Sequence, residues 1–404
     1  MNPAVLAKSI IEKTQIDLSG LTIAQIIPSM GAGGAEQAVI DVGKGLKDVG
    51  ANPIVFTAGG HRCEELNDFG IEVSSLPVNT KSFIKMRRNA SLIGEMIDKQ
   101  NICLLHARSR APAWSGYWAS KKRNLPFMCT YHGIYSEKNI LKNYYNSVMV
   151  RGDAVIANSH YTHDLIQERY GALPKNIYTI PRGIDLESFS ENSINSQKIS
   201  DMRKKWHIDN DTPIILLPGR LTSWKGHEVA LKAFAALPEV IKNQYALVFL
   251  GDAQGRDQYV QQLQDLAQSL GIAARLRMPG HEVDVPTALA TSDIVINCSI
   301  RAEAFGRVAV EAQAMGKPVI VSALGPVKET VLTPPVVDEE GRSGWHVEPN
   351  NPVDLSSALM RAINMPDEDK ERLAKRARLH ASENFSTQKM VQSTLSIYAN
   401  LLGR

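Results

Sequence analysis

The sequence predicts an α/β protein built from two doubly wound, Rossmann-like domains that face each other across a cleft. Short runs rich in Ile, Val and Leu recur along the whole chain, and segments with helical spacing separate them. Runs that are apolar throughout suit a parallel sheet covered by helices on both faces. Strands alternating with helices define doubly wound units. A Ser/Asn-rich stretch splits the runs into two series, hence two domains. Open α/β sheets bind ligands beyond the carboxyl ends of their strands, so the cleft is the expected site.

The first series predicts strands at Ile23–Ser29, Pro53–Thr57, Ile102–His106, Phe127–Tyr131, Ala154–Asn158 and Ile177–Pro181. The second predicts strands at Ile214–Pro218, Ala246–Leu250, Arg275–Pro279, Ile294–Asn297 and Pro318–Val321. Between the first two strands, Ala35, Ala38, Val39, Val42 and Leu46 recur at three- and four-residue steps, the stripe of a helix lying on a sheet. The junction falls within Arg182–Pro213, which contains the polar stretch from Ser188 to Ser200. The expected domains are therefore residues 1–185 and 186–384. Past Val347 the chain reads as helix, over Asp354–Ile363, Asp367–Glu383 and Thr387–Leu402. The last of these, within about 385–404, is long enough to cross back onto the first domain. No internal repeat is visible.

Composition narrows the class of function. The chain has 404 residues, 44% hydrophobic and 22% charged, as ordinary globular proteins do. Its net charge of +3 is too small for a nucleic-acid-binding protein. Residues 1–185 hold 21 basic against 16 acidic side chains, a mild surplus that favours an anionic surface. Cys63, Cys103, Cys129 and Cys298 form no CxxC pair and read as buried, reduced thiols of a cytosolic protein. Residues Met1 to Gly20 mix apolar and charged side chains and lack a signal-peptide core. No run approaches the ~18 apolar residues that span a bilayer. A cytoplasmic protein that docks on a membrane is the expectation.

Three segments carry chemistry. Gly31-Ala32-Gly33-Gly34-Ala35-Glu36 follows the first strand and opens its helix, so bare backbone and free N–H groups can meet an anion. It fits neither the dinucleotide fingerprint, whose sixth position is Gly, nor a Walker A loop. That failure argues against a nicotinamide-dependent dehydrogenase; a plain strand–helix turn stays open. Gly219-Arg220-Leu221-Thr222-Ser223-Trp224-Lys225-Gly226 follows the first strand of the second series. Its two cations suit a diphosphate, Arg220 as a planar fork and Lys225 as a point charge. Glu303-Ala304-Phe305-Gly306-Arg307-Val308-Ala309-Val310-Glu311 follows Ile294–Asn297 and begins a helix near Gly306. Glu303 and Glu311 can accept hydrogen bonds from sugar hydroxyls, while N–H groups between them face phosphate.

These segments resemble a known family. Glu303-x-Phe305-Gly306…Glu311-Ala312-x-Ala314-x-Gly316-x-Pro318-Val319 is similar to the E-x7-E signature of retaining family 4 glycosyltransferases, which have the GT-B fold. Gly31–Glu36 resembles their acceptor-side GGxE loop. Ile180-Pro181-Arg182-Gly183-Ile184-Asp185 resembles their P-N-G-V-D stretch, with Arg182 where Asn is usual. Gly219-Arg220…Lys225-Gly226 is similar to their G-R…K-G segment, and Gly251-Asp252, Pro279-Gly280-His281 and Gly344-Trp345 follow in the family's order. The likeness covers roughly residues 22–365. Glu303–Arg307 also resembles the variant in proteobacterial lipopolysaccharide enzymes.

The resemblance implies a hexosyltransferase that moves a sugar, with retention, from a nucleotide-diphosphate sugar to an envelope glycan or lipid-linked saccharide. Arg220 and Lys225 would hold the diphosphate, Glu303 the donor-sugar hydroxyls and Glu311 the ribose. Backbone N–H groups of Phe305, Gly306 and Gly34 would line the phosphate, beside Gly33 and Arg307. Gly280 and His281 would lie near the base. His132, in Thr130-Tyr131-His132-Gly133, matches the family's histidine near the donor sugar. No cofactor and no metal are expected, because the two cations supply the charge a metal would. Asp209-Asn210-Asp211 spells the D-x-D of metal-dependent transferases but reads better as a polar turn. Lys85-Met86-Arg87-Arg88 and Lys121-Lys122-Arg123 read as solvated faces or as contacts to anionic lipid. Two rivals stay open: a nucleotide-sugar epimerase or hydrolase on the same fold, and a sugar-nucleotide-binding protein without chemistry.

Overall fold

A computed structural model describes residues 16–31, 33–135 and 139–404. The N-terminal stretch read above as lacking a signal-peptide core lies outside the described residues up to Gln15, as does Ala32 of the glycine loop. The chain divides into two compact units. The first comprises the described residues up to Gly183 together with Thr387–Arg404, and the second is Ile184–Ser386.

Seven parallel strands form the first sheet: β1 (Thr22–Ile26), β2 (Asn52–Thr57), β3 (Glu72–Ser75), β4 (Ile102–Ala107), β5 (Phe127–Tyr131), β6 (Ala154–Ala157) and β7 (Ile177–Thr179). Their order is β3-β2-β1-β4-β5-β6-β7. Helices cover both faces. Met86, Ile93, Trp114 and Ala119 pack on one face, and Val42, Leu46, Leu395 and Tyr398 on the other. The last helix, Thr387–Leu402, thus belongs to this unit, and the glycine at 45 lets Val391 and Leu395 lie against the helix Gly34–Asp48.

Six parallel strands form the second sheet: β8 (Ile214–Pro218), β9 (Ala246–Leu250), β10 (Leu276–Gly280), β11 (Ile294–Asn297), β12 (Val319–Ser322) and β13 (Trp345–Val347), in the order β10-β9-β8-β11-β12-β13. Strands β8, β9, β11 and β12 are buried along their whole length, as their unbroken apolar runs require.

Two strands are absent from the sequence expectation, and both are edges. β3 (Glu-Val-Ser-Ser) is part-exposed and β13 has three residues, so neither needs an apolar run. β1 also stops earlier than expected, two residues before Pro28, which has no N–H to give the ladder. The cysteine expectation needs correction. All four thiols are free, but only Cys129 and Cys298 are buried; Cys63 and Cys103 are half-buried. No described helix is long and apolar enough to cross a membrane.

In each sheet the chain reverses its direction of winding once, between β1 and β4 and between β8 and β11. At such a switch point the helices after the two central strands leave on opposite faces, and a crevice opens beyond the strand ends. The glycine loop of the first unit follows β1. In the second unit, the Arg220–Lys225 loop follows β8 and the Glu303 loop follows β11.

Candidate active site

In the second unit, the switch point brings together groups that are far apart in sequence. The Lys225 ammonium lies 2.7 Å from Glu303 Oε1, and the side chains are only 11% and 14% exposed. Several contacts fix this approach. Ile300 N–H donates to the Trp224 carbonyl at 2.8 Å, and the Cys298 thiol donates to the Gly226 carbonyl at 3.2 Å. Gly226 is left-handed (φ 77°), and a Cβ there would collide with the Cys298 carbonyl oxygen. Only glycine lets the loop after β8 lie flush against the exit of β11.

Glu303 is held as a carboxylate. Burial pushes its pKa up, but the Lys225 ammonium and the hydrogen bond from Ser299 outweigh it and hold the group below its ordinary value. The Ser299 hydroxyl donates to Glu303 Oε1 at 2.6 Å. The Lys225 ammonium also sits 4.7 Å above the Trp224 ring. Behind the loop, His227 is buried against the rings of Phe249 and Tyr259, and burial lowers its pKa to about 4. It is a neutral packing residue.

The helix Arg307–Ala314 begins where the motif places it. Gly306 caps it in the left-handed region (φ 83°), so the first-turn N–H groups lie directly after the Glu303 loop. Phe305 is buried, with its ring 5.6 Å from Phe385, so this residue offers a ligand its backbone. Glu311, on the second turn, is buried and takes the Arg307 guanidinium at 2.8 Å. Arg307 is therefore the partner of Glu311. Arg220 is exposed at the end of β8, and its guanidinium has no hydrogen bond or ion pair among the described residues. Gly280 ends β10, and His281 follows it, exposed.

Asp209 and Asp211 lie in a turn at the opposite end of β8 from Arg220 and Lys225. Five residues at ~3.3 Å each separate the two ends by roughly 16 Å. No described group of three His, Cys, Asp or Glu residues could hold a metal ion. A cavity of about 460 Å³, lined by Asp293, Lys317 and Arg378 among others, also opens at that far end.

The first unit holds the other expected residues. Gly33 caps the helix Gly34–Asp48 with extended backbone, and the Glu36 carboxylate folds back onto the space a Gly33 side chain would need. His132 follows β5. Its Nδ1 lies 2.9 Å from Arg182 Nη2, while Nε2 is buried and has no protein partner among the described residues. A guanidinium only donates, so Nδ1 accepts and the neutral ring carries its proton on Nε2. Burial, then the Arg182 and Arg108 charges, hold the His132 pKa well below its ordinary value.

The sequence reading missed the residues that support these groups. Tyr398 Oη meets His106 Nδ1 at 2.6 Å, and His106 Nε2 meets Thr130 Oγ1 at 2.7 Å. Arg108 donates to Gln25 at 2.5 Å. This buried polar chain ties the last helix to β1, β4 and β5, two residues short of His132. Polar side chains at the end of an otherwise apolar strand were its only trace in the sequence, as with Asn297 at the end of β11 and Ser299 beyond it.

The motifs of both units have counterparts in known proteins. Glycosyl transferases group 1 matches residues 198–380, and Glycosyltransferase Family 4 matches residues 32–188. A glycosyltransferase structure from Rickettsia africae is 33% identical, covers 95% of this chain and 99% of its own, and superposes with a TM-score of 0.85. The chain belongs to the group 1, family 4 glycosyltransferases of GT-B fold. A D-inositol 3-phosphate glycosyltransferase from Xylanimonas cellulosilytica is 27% identical over 74% of this chain and 72% of its own length. The Anabaena protein HepE, solved with UDP and glucose, is 23% identical over 94% of this chain and all of its own, with a TM-score of 0.79; at that identity the likeness concerns the fold.

Proposed function

We propose that this glycosyltransferase takes its sugar from a nucleotide-diphosphate donor, bound at the carboxyl ends of β8 and β11, and transfers it with retention. The observation that carries the reading is the buried Lys225–Glu303 pair beside the helix start at Gly306. Lys225 and Arg220 bind the diphosphate, and the N–H groups of Phe305 and Gly306 add dipoles aimed at the same charge. Glu303 accepts hydrogen bonds from donor-sugar hydroxyls, and Glu311, steadied by Arg307, from the ribose.

As the bond from the anomeric carbon to the phosphate oxygen breaks, negative charge collects on the leaving diphosphate and the sugar becomes oxocarbenium-like. Fixed cations and amide dipoles stabilise that state because they need not reorganise. The acceptor oxygen bonds to the anomeric carbon on the face the diphosphate vacates, and its proton passes to the departing phosphate oxygen. The products are the glycoside and a nucleoside diphosphate. His132, with its proton on Nε2, donates to the donor sugar. No resident cofactor or metal takes part.

For the acceptor, the motif variant at Glu303–Arg307 supports a saccharide or lipid-linked saccharide of the cell envelope, met by a cytoplasmic enzyme at the inner face of the membrane. A second reading, a soluble inositol phosphate acceptor, is favoured by the names of the curated relatives. A panel of UDP- and GDP-sugars is screened for a rise in melting temperature, which tight binders produce by mass action. The responding donor is then incubated with each acceptor class in excess EDTA. Transfer with retained anomeric configuration is expected. Donor breakdown without any acceptor would indicate a hydrolase or epimerase, and loss of activity restored by Mn²⁺ would reinstate a metal.

A further inference from the structure

Large apolar side chains of the first unit reach solvent at the starts of two neighbouring helices. Ile84, Ile140 and Leu141 are 83%, 87% and 81% exposed, beside half-exposed Phe83 and Tyr144. Scattered exposure of this kind is ordinary, but a contiguous patch is not. These residues come from the starts of two helices, Phe83–Gln100 and Ile140–Asn146, which a third, Arg110–Arg123, knits together. The Phe83 ring lies 6.2 Å from Trp114 and Tyr145, and Trp114 lies 5.3 Å from Tyr144. Ile84 adjoins Phe83, and Ile140 and Leu141 sit one turn from Tyr144.

The exposed charges nearest the apolar side chains are basic: Lys81, Lys85, Arg87 and Arg88 surround the first turn of Phe83–Gln100, whereas Glu95 and Asp98 lie on its far turns, beside Arg123. Arg108 is committed to the buried polar chain and Arg123 to Asp98. Lys85 and Arg88 are exposed beside the apolar tips. Arg87 lies 4.5 Å over the Trp118 ring and Arg151 5.2 Å from that of Tyr144, which keeps cations at the boundary between apolar and polar surface.

We propose that the first unit docks on anionic phospholipid bilayers through this face, with Phe83, Ile84, Ile140 and Leu141 entering the headgroup layer and the cations around them holding lipid phosphates. Apolar tips flanked by Lys85, Arg87, Arg88 and Arg151 match a surface that is apolar beneath and anionic above. The inference deepens the reading of a membrane-borne acceptor and rests on it.

Sedimentation of the full chain with vesicles, either pure phosphatidylcholine or phosphatidylcholine containing one-third phosphatidylglycerol, tests it. Binding to the anionic vesicles should be at least tenfold tighter and should weaken with added salt. Ile84→Ser with Leu141→Ser should weaken it at least tenfold at an unchanged melting temperature, and Lys85→Glu with Arg88→Glu should remove the preference for anionic lipid. Binding by these variants equal to that of the parent would overturn this surface while leaving a membrane-borne acceptor standing. Failure of the parent to bind either vesicle would overturn both. A parent dimer that dissociates in the Ser variant would assign the patch to a second copy and overturn lipid docking.

Discussion

Lys225 and Glu303 meet at 2.7 Å, although 78 residues separate them in sequence. The topology places them there, because β8 and β11 are neighbours at the point where the sheet reverses its winding. A nearly buried ammonium needs a counter-charge, and here Glu303 supplies it. A diphosphate entering the site can share that ammonium.

Glu303→Gln tests the exchange. The amide keeps the size of the carboxylate but not its charge, so Lys225 is left without a counter-ion. Turnover should fall about 100-fold, or roughly 2.7 kcal/mol of barrier, and the protein should melt at a lower temperature. UDP or GDP should then raise the melting temperature more in the variant than in the parent, since the diphosphate replaces the lost charge. Equal shifts in both proteins would separate Lys225 from the diphosphate.

Gly226→Ala should damage structure and activity together. The left-handed backbone and the Cys298 carbonyl both reject a methyl group. A loss on the order of 2–4 kcal/mol combines backbone strain with overpacking, readable by urea unfolding. A fully stable Ala variant would contradict the packing of this loop against β11.

Burial holds His132 neutral, and Arg182 adds to it. Arg182→Asn removes the donor to Nδ1 and a cation that depresses the ring's pKa. The pKa of His132 should move up, so the acid limb of the pH–rate profile should shift to higher pH. A profile unchanged in shape would remove His132 from the reaction or Arg182 from its control.

Stability should depend on pH in the mildly acid range. His106 and His132 are held neutral, and His227 stays neutral down to about pH 4. Their folded-state pKa values lie below the unfolded value near 6.5, so the unfolded chain takes up more protons as pH falls. Stability is therefore complete above about pH 6.5 and declines below it; His227 alone contributes on the order of 3 kcal/mol between pH 6.5 and 4. A melting temperature that holds constant from pH 7 to 4.5 would contradict the burial of these rings.

The sequence carried the fold wherever burial demanded apolar runs. Strands β8 and β9 were legible to the residue because both of their faces are covered, whereas edge strands β3 and β13 left no such signal. The candidate site shows in the sequence as motifs, since Gly226 and Gly306 answer to backbone geometry and Glu303 and Lys225 to position after a strand. Contacts between distant segments were not. Nothing in the spacing pairs Arg182 with His132, Arg307 with Glu311 or Tyr398 with His106, because side-chain partners depend on how the elements pack.

Arg220 offers the most direct test of the central claim, that cations at the carboxyl end of β8 hold the donor's diphosphate. Its guanidinium is exposed and makes no ion pair among the described residues, so its replacement touches little but the ligand. Calorimetric titration of Arg220→Ala with the nucleotide sugar that stabilises the parent should give an affinity at least tenfold weaker, at an unchanged melting temperature. An affinity equal to that of the parent would contradict the account.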